Sequence, residues 1–124
     1  MLCESTFKHI GNDDIEVELG DLYDTIRDAT IDLNGHTMTL LANHELRDES
    51  IIDRVKIKNG RVRVYGVRAD IVILRDCEID HLIIDKCIFN DITIVVNKIG
   101  ILEVIDTKSR MDISECNFVY EVIN

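Results

Sequence analysis

Residues 62–104 read VRVYGVRADIVILRDCEIDHLIIDKCIFNDITIVVNKIGILEV, and apolar residues fill two positions of every five in this stretch. The repeated unit is an apolar residue, any residue, a second apolar residue and then two more residues. The second apolar position is filled in nine of nine repeats and the first in eight, the exception being Asn97. The pairs are Val62/Val64, Val67/Ala69, Val72/Leu74, Cys77/Ile79, Leu82/Ile84, Cys87/Phe89, Ile92/Ile94, Asn97/Ile99 and Leu102/Val104. This period fits neither an α-helix nor the unbroken alternation of one long strand.

Short strands joined by regular corners account for the period, because each side then turns two residues inward before the chain changes direction. If four sides close one coil, each residue lies over the residue twenty positions later, which predicts the stack Val62, Leu82, Leu102 and the stack Val64, Ile84, Val104. Neighbouring coils would then be joined by parallel strand pairing at about 4.8 Å. After residue 107 the pattern resumes one residue early, with Met111/Ile113 and Cys116/Phe118. The sequence therefore predicts an all-β fold, a right-handed parallel β-helix of about five coils.

The segment before residue 54 keeps the repeat in a looser form. Four apolar positions lie 24 residues before four others, namely Ile31, Leu33, Met38 and Leu40 before Val55, Ile57, Val62 and Val64. This spacing predicts one longer coil, with LLANHELRDES (40–50) as an excursion from it. GDLYDTIRDAT (20–30), with Asp21 or Asp24 as the N-cap, predicts a short helix that closes the end of the solenoid. We therefore expect a single domain over 1–124, with an N-terminal cap at 1–30 and coils over 31–124.

The stretch RVKIKNGRVRVY (54–65) has two interpretations. Asn59-Gly60 between two alternating runs is a strong local signal for a β-hairpin with a type I′ turn. That pairing would set Lys58 against Arg61 and Lys56 against Arg63, and like charges directly opposite one another are unfavourable. A corner of the solenoid places the same residues on adjoining sides and uses Asn-Gly for a positive φ angle. We favour the corner and leave the hairpin as the alternative.

Charge is distributed unevenly along the 124 residues, whose formal net charge is −10. Residues 1–53 carry 13 acidic and 3 basic side chains, residues 54–75 carry 1 and 7, and residues 76–124 carry 10 and 4. A basic belt thus lies between acidic ends, and one interpretation is neutralisation within the chain. No secretion signal and no apolar run long enough for a membrane span occur, so we expect a cytoplasmic protein, in the host cell cytoplasm if a phage encodes it.

Chemistry-bearing motifs are absent from the sequence. The cysteines, Cys3, Cys77, Cys87 and Cys116, fit no zinc-binding spacing, so we expect buried free thiols, with a disulfide as the minor alternative and no metal. The four histidines form no H-E-x-x-H motif, and no G-x-S-x-G, Walker A or G-x-G-x-x-G motif occurs. We therefore predict no catalytic residues, no cofactor and no enzymatic activity.

Residues 62–118 resemble the repeats of pentapeptide-repeat proteins. Those repeats have a small residue at one position, often Asp or Asn at the next, and Leu or Phe at the position after that. The closest matches are Cys77-Glu78-Ile79, Cys87-Ile88-Phe89 and Cys116-Asn117-Phe118. The larger side chains at the small position, Val67, Val72, Leu82, Ile92 and Leu102, depart from that pattern and would crowd a narrow square core. TIDLNGHTMTL (30–40) and IKNGRVRVYG (57–66) are similar to the early coils of pectate-lyase-like β-helices, which have wider, three-sided coils. The two resemblances imply a solenoid, leave three or four sides open and carry over no active site.

The resemblance to pentapeptide-repeat proteins implies one function, since several of these proteins resemble duplex DNA in shape and charge. We expect a non-enzymatic acidic binding protein, encoded by a phage or mobile element, that inhibits a host nucleic-acid-handling or defence protein. Its partner would meet a surface rich in carboxylates, and the interaction would be sensitive to salt. The candidate residues are Asp76, Glu78, Asp80, Asp85, Asp91, Glu103, Asp106, Asp112 and Glu115.

The basic belt motivates an alternative function, a self-assembling β-helix that forms oligomers or a phage structural component. Its residues are Arg54, Lys56, Lys58, Arg61, Arg63, Arg68 and Arg75. They would meet the acidic ends of another subunit, or the exposed last coil around Phe118 and Tyr120 would stack on a second copy. A third interpretation is direct binding of nucleic acid or an acidic polysaccharide, but the negative net charge and the single aromatic residue of the belt, Tyr65, argue against it.

Overall fold

A computed structural model describes residues 7–10, 13–18, 25–42, 45–95, 97–114 and 117–123. Fourteen β-strands and no helix are found within these residues. The strands are β1 (Phe7–Ile10), β2 (Ile15–Glu18), β3 (Thr25–Arg27), β4 (Ala29–Asp32), β5 (Thr37–Leu41), β6 (Leu46–Asp53), β7 (Lys56–Lys58), β8 (Arg61–Tyr65), β9 (Arg68–Arg75), β10 (Glu78–Asp85), β11 (Ile88–Val95), β12 (Lys98–Ile105), β13 (Lys108–Ser114) and β14 (Asn117–Ile123).

The described strands pair in parallel with strands one coil before or after them along the chain. Strands β3, β6, β9, β11 and β13 form one sheet, and the other nine form the second. The chain is therefore a parallel β-solenoid of about four coils, slightly fewer than the five predicted. Coil 1 contains β4 to β6, coil 2 contains β7 to β9, coil 3 contains β10 and β11, and coil 4 contains β12 and β13. Strands β1 to β3 extend the two sheets at one end, and β14 extends the nine-stranded sheet at the other.

The five-residue repeat correctly identifies the interior of the solenoid. Val62 pairs with Leu82 and Leu82 with Leu102, and Ile84 lies between Val64 and Val104, so both predicted stacks are confirmed. All eighteen residues of the nine pairs are buried, including the polar Asn97. The early resumption after residue 107 is also confirmed, because Ile92 pairs with Met111, nineteen residues on. The apolar pairs of the repeat therefore determine which face of each strand points into the core.

Coil 3 bends within its long strands. Pairing between β10 and β12 skips Asp80 and Gly100, and pairing between β9 and β11 skips Asp70 and Asn90. With the corners at Asp76 and Lys86, both of positive φ, these bends divide coil 3 into four straight segments. Each segment carries two interior residues, which explains the twenty-residue offset between neighbouring coils. We call the segment formed by β2, β5, β8, His81–Asp85 of β10 and Ile101–Ile105 of β12 the second side.

Asn59-Gly60 is a corner of the solenoid, and the hairpin alternative is wrong. Strand β7 pairs with β4 and β10, and β8 pairs with β5 and β10, in every case in parallel. Asn59 rather than Gly60 adopts the positive φ angle, 58°. A Cβ atom on Gly60 would collide with the carbonyl oxygen of His36 and the Cβ of Leu33 in the preceding coil. The glycine is thus required by the close approach of two coils, and the positive φ angle of the corner falls on Asn59.

The register upstream of residue 54 corrects two details. The offset of 24 residues is confirmed for Met38 with Val62 and Leu40 with Val64, but Ile31 pairs with Ile57, 26 residues on. The difference arises because four residues separate β4 from β5 whereas two separate β7 from β8. The predicted excursion 40–50 is largely wrong, since its second half belongs to β6, which pairs with β9 through a bulge between Leu46 and Glu49.

The predicted helix over 20–30 is wrong where the structure describes it. Thr25–Arg27 forms β3 and Ala29–Asp32 forms β4, while residues 20–24, including the predicted N-caps, lie outside the described residues. Ile26 pairs with Ile52 and Ala29 lies in the core. Pairing with the next coil overrides the local helical spacing, and β-branched Thr25 and Ile26 suit a strand.

Two interior columns stabilise the remaining corners. Val55, Cys77 and Asn97 follow one corner in successive coils, and Val67, Cys87 and Thr107 follow the other. Asn97 donates from Nδ2 to the carbonyl of Leu74 at 2.9 Å and accepts the amide of Cys77 at 2.8 Å. Thr107 accepts the amide of Cys87 at 3.2 Å. These side chains satisfy backbone groups that the change of direction leaves without a strand partner.

Candidate functional site

The basic belt is one coil of the solenoid, enclosed by two acidic coils. Residues 54–75 carry seven basic and one acidic side chain, whereas residues 28–53 carry one and six, and residues 76–97 carry one and five. Because the strands of 54–75 pair with the coils on both sides, three of its cations lie directly opposite carboxylates in neighbouring strands. Lys56 pairs with Glu78, Lys58 with Asp32 and Arg75 with Asp53. The cations that cluster in the sequence are thus adjacent in space to acids 22 to 26 residues away.

Two arginines of the belt bind Asp53, whose carboxylate is almost fully buried. Arg54 places Nη1 3.2 Å from Asp53 and Nε 2.6 Å from Asp28, and Arg75 donates to both carboxylate oxygens of Asp53. Hydrogen bonding to Asp28 raises the pKa of Arg54, and hydrogen bonding to Asp53 raises the pKa of Arg75. A buried carboxylate at this position requires such partners, so these cations contribute to the structure of the corner.

Arg63 binds the second carboxylate that the core nearly encloses. Its Nη2 lies 2.6 Å from Oδ2 of Asp85, and its guanidinium stacks 4.2 Å from the ring centre of Tyr65. Lys56 lies 3.7 Å from Glu78. Four of the seven belt cations are therefore ion-paired within the chain, while Lys58, Arg61 and Arg68 make no ion pair with the described residues.

The nine predicted partner-binding acids do not form one face. Glu78 lies before the bend of β10 and Asp80 lies at it, Glu103 lies on the second side, and Asp76 and Asp106 occupy two different corners. Several are engaged inside the chain, because Asp91 pairs with Arg110 at 2.7 Å and Asp80 accepts the amide of Asn59 at 2.7 Å. Glu103 lies 3.5 Å from His81.

Asp85 contributes no free charge to such a surface, since it is 7% exposed and bound to Arg63. The strand position of Asp112 is described but its side chain is not, and Glu115 lies outside the described residues. Among the predicted acids, Asp76, Asp80 and Asp106 are exposed and make no ion pair within the described part of the chain, although Asp80 accepts the amide of Asn59.

A group of acids that the sequence reasoning missed lies on and before β2. Asp13, Asp14, Glu16 and Glu18 are exposed, while Ile15 and Val17 between them pack against the core. The alternation D-I-E-V-E could have revealed this strand, but the segment was interpreted as part of a cap. Asp14 accepts the amide of Thr37 at 2.9 Å, and that hydrogen bond lowers the pKa of its carboxyl group.

A groove of about 680 Å³ crosses the second side next to these acids. Four coil levels contribute to it, from β2 through β5 and β8 to β10. Its lining comprises Asp14, Ile15, Glu16, Thr37, Thr39, Arg61, Arg63 and Ile83. The carboxylates lie at one end, the guanidinium groups at the other and the threonine hydroxyls between them, so the groove is strongly dipolar.

The two described cysteines are buried free thiols, as predicted, and Cys3 and Cys116 lie outside the described residues. Cys77 and Cys87 each point their sulfur toward two backbone carbonyls, and burial raises the pKa of Cys77 to about 11. A deprotonated, nucleophilic thiol is disfavoured there. Within the described ranges, no three His, Cys, Asp or Glu side chains come together as a metal-binding group.

No helix of the described chain is long and apolar enough to cross a membrane. Comparison of the chain with protein-family models, with curated proteins and with solved structures found no match. The resemblances to pentapeptide-repeat proteins and to pectate-lyase-like β-helices therefore remain predictions. The structure assigns the chain to the parallel β-solenoids and to no particular family among them.

Proposed function

We propose that this chain is a non-enzymatic acidic binding protein of phage or mobile-element origin. It would inhibit a cytoplasmic host protein that handles nucleic acid or takes part in defence. The observation that carries the proposal is the row of exposed carboxylates at Asp13, Asp14, Glu16 and Glu18, which lie on and just before strand β2. Alternate residues of a strand are about 6.7 Å apart, which is about twice the axial rise per phosphate of one DNA strand.

Charge distribution along the solenoid supports the same proposal. Residues 1–53 have a net charge of −10, whereas the belt directs four of its cations to carboxylates within the chain. Arg54 and Arg75 bind Asp28 and Asp53 of residues 1–53, but no belt cation forms an ion pair with the described acids on and before β2. A partner that normally neutralises phosphates with Lys and Arg would find matching charge there, and its binding would weaken as salt rises.

A pull-down from bacterial lysate tests the proposal. Tagged protein is incubated with nuclease-treated lysate, washed at low or high salt, and the bound proteins are identified by mass spectrometry. We expect a nucleic-acid-binding enzyme or defence complex that is retained at low salt and released at high salt. Recovery of the bait alone, or of partners unaffected by salt, would contradict the proposal.

Variants in which carboxylates are replaced by neutral amides show which acidic residues bind the partner. Asp13→Asn combined with Glu18→Gln removes two exposed charges at the β2 end, and Asp76→Asn combined with Asp106→Asn removes the two corner charges. Asn tolerates the positive φ angles of residues 76 and 106, so the second pair should keep the fold. Glu45→Gln, at an exposed position before β6, is the control. We expect the β2 pair to weaken capture most, and equal capture by all variants would exclude this surface.

Self-association is a second candidate, favoured by the ends of the solenoid. Strands β13 and β3 terminate one sheet, and β14 terminates the other at the C-terminal end, so among the described residues each of these strands has one edge without a strand partner. Both ends are acidic, with net charges of −5 over 1–27 and −2 over 98–124, so stacking copies would repel at low salt. Sedimentation should therefore show growth of oligomers as salt rises, opposite to the expected release of a partner. A monomer at every salt concentration would remove this candidate.

A further inference from the structure

The dipolar groove of the second side contains two matching columns. Asp14, Thr37 and Arg61 form one column, since Thr37 donates its amide to Asp14 and pairs with Arg61. Glu16, Thr39 and Arg63 form the other through successive strand pairs. Each column presents an acid, a hydroxyl and a base on three neighbouring coils. Because both columns run from acid through hydroxyl to base in the same direction, the site has a negative end and a positive end.

The charges available in this groove lie at opposite ends. Glu16 is exposed, and Arg61 is exposed and makes no ion pair with the described residues. Arg63 directs Nε and Nη2 to Asp85, and Asp14 accepts the amide of Thr37, so these two are held in place. The acid row on β2 and the arginine row on β8 lie two coil spacings apart, with the threonine row of β5 between them. Two spacings amount to about 9.6 Å.

We propose that the groove binds a small linear zwitterion that lies along the solenoid axis. Its ammonium group contacts Glu16 and Asp14, its carboxylate contacts Arg61 and Arg63, and the hydroxyls of Thr37 and Thr39 line the middle. A ligand with one sign of charge is attracted at one end and repelled at the other, which selects for both charges in one molecule. This inference does not depend on the proposed function, because it concerns a small molecule and the purified chain.

Titration followed by NMR tests the site with a defined probe. The ¹⁵N-labelled protein is titrated with 8-aminooctanoate, whose extended chain is comparable in length to two coil spacings. The comparison ligands are octanoate and octylammonium, which each lack one charge, and glycine, whose charges lie too close together. We expect shifts of the amide signals of Thr37, Thr39 and Arg61, with the three comparison ligands binding about tenfold more weakly.

Two matched pairs of variants distinguish the groove from general charge effects. Arg61→Gln is compared with Arg68→Gln, an exposed arginine of the same coil outside the groove, and Glu16→Gln is compared with Glu45→Gln. Loss of binding in Arg61→Gln and Glu16→Gln, with binding retained in both controls, supports the site. Equal binding of octylammonium and 8-aminooctanoate, equal effects within each pair, or no shift of the groove amides at any concentration would overturn the proposal.

Discussion

The corner that leads into the second side is built differently in coils 1 and 2 from coils 3 and 4. Four residues form it between β4 and β5, two residues form it between β7 and β8, and in β10 and β12 it has shrunk to a bend within one strand. The interior pairs before and after the corner nevertheless stay in register. Packing of the interior therefore determines which side a residue occupies, while the corner length varies from coil to coil.

Longer corners require more polar partners than sharp bends do. Asp32 accepts hydrogen bonds from the amide of Asn34 and the side chain of Asn59, and Asp80 accepts the amide of Asn59. At the sharp bend of coil 4, a Cβ atom on Gly100 would collide with the backbone carbonyl of Asp80. The longer corners thus depend on carboxylates, and the bend of coil 4 depends on the absence of a side chain at Gly100.

The largest expected effect tests the interior that both kinds of corner share. Ile84→Asp places an unpaired charge among buried side chains and should cost at least about 4 kcal/mol, enough to unfold the chain. Ile88→Asp makes the same substitution at a position that is 43% exposed and should cost less than about 1 kcal/mol. Circular dichroism and urea unfolding compare them. A folded Ile84→Asp protein would refute the stacking of Val64, Ile84 and Val104.

Removal of Arg63 should have the next largest effect, because it leaves the nearly buried Asp85 without its cation. Arg63→Ala should destabilise the chain by about 2 to 3 kcal/mol. Arg68→Ala, in the same coil and without an ion pair among the described residues, should change stability by less than about 0.5 kcal/mol. Urea midpoints measure both, and equal midpoints would show that the belt pairs are not structural.

Glycine substitutions sharpen the comparison of corners directly. Gly60→Ala forces the backbone of coil 2 away from Leu33 and His36 and should cost about 1 to 3 kcal/mol. Gly35→Ala meets no atom within 4 Å, so its cost is the strain of a positive φ angle, about 1 kcal/mol. Thermal unfolding of the two variants ranks them. A larger loss in Gly35→Ala would contradict the close contact between the two corners.

The smallest expected effect is a pH dependence at the longer corners. The amide of Asn34 and the side chain of Asn59 lower the pKa of Asp32, so its ionised form stabilises the folded state. That contribution is present above the unfolded pKa of about 3.9 and is lost as pH falls through the lower folded value. Urea unfolding from pH 7 to pH 3 should therefore show declining stability. Asp32→Asn should show a shallower decline, and an unchanged slope would exclude this role for Asp32.

Particular residues show which features of the fold and the groove could be predicted from the sequence and which could not. The nine apolar pairs identified the interior and the twenty-residue stacking, and burial of Cys77 and Cys87 was predicted correctly. The helix over 20–30 was wrong because a helical spacing of apolar residues was given more weight than β-branched Thr25 and Ile26. The groove was missed because β2 was not predicted as a strand, so its acids were not placed beside β5 and β8, although the apolar residues had indicated the 24-residue offset between β5 and β8.

The amino-acid sequence by itself determined the alternation of inward and outward residues, because a strand turns successive side chains to opposite faces wherever it lies. It also determined the uneven charge, with seven cations in one coil. The tertiary structure alone decided that four of these cations meet carboxylates of the neighbouring coils, and that acids, threonines and arginines align across β2, β5 and β8. The physical reason is that these contacts run perpendicular to the strands, where the partner of each residue depends on the length of every corner between them.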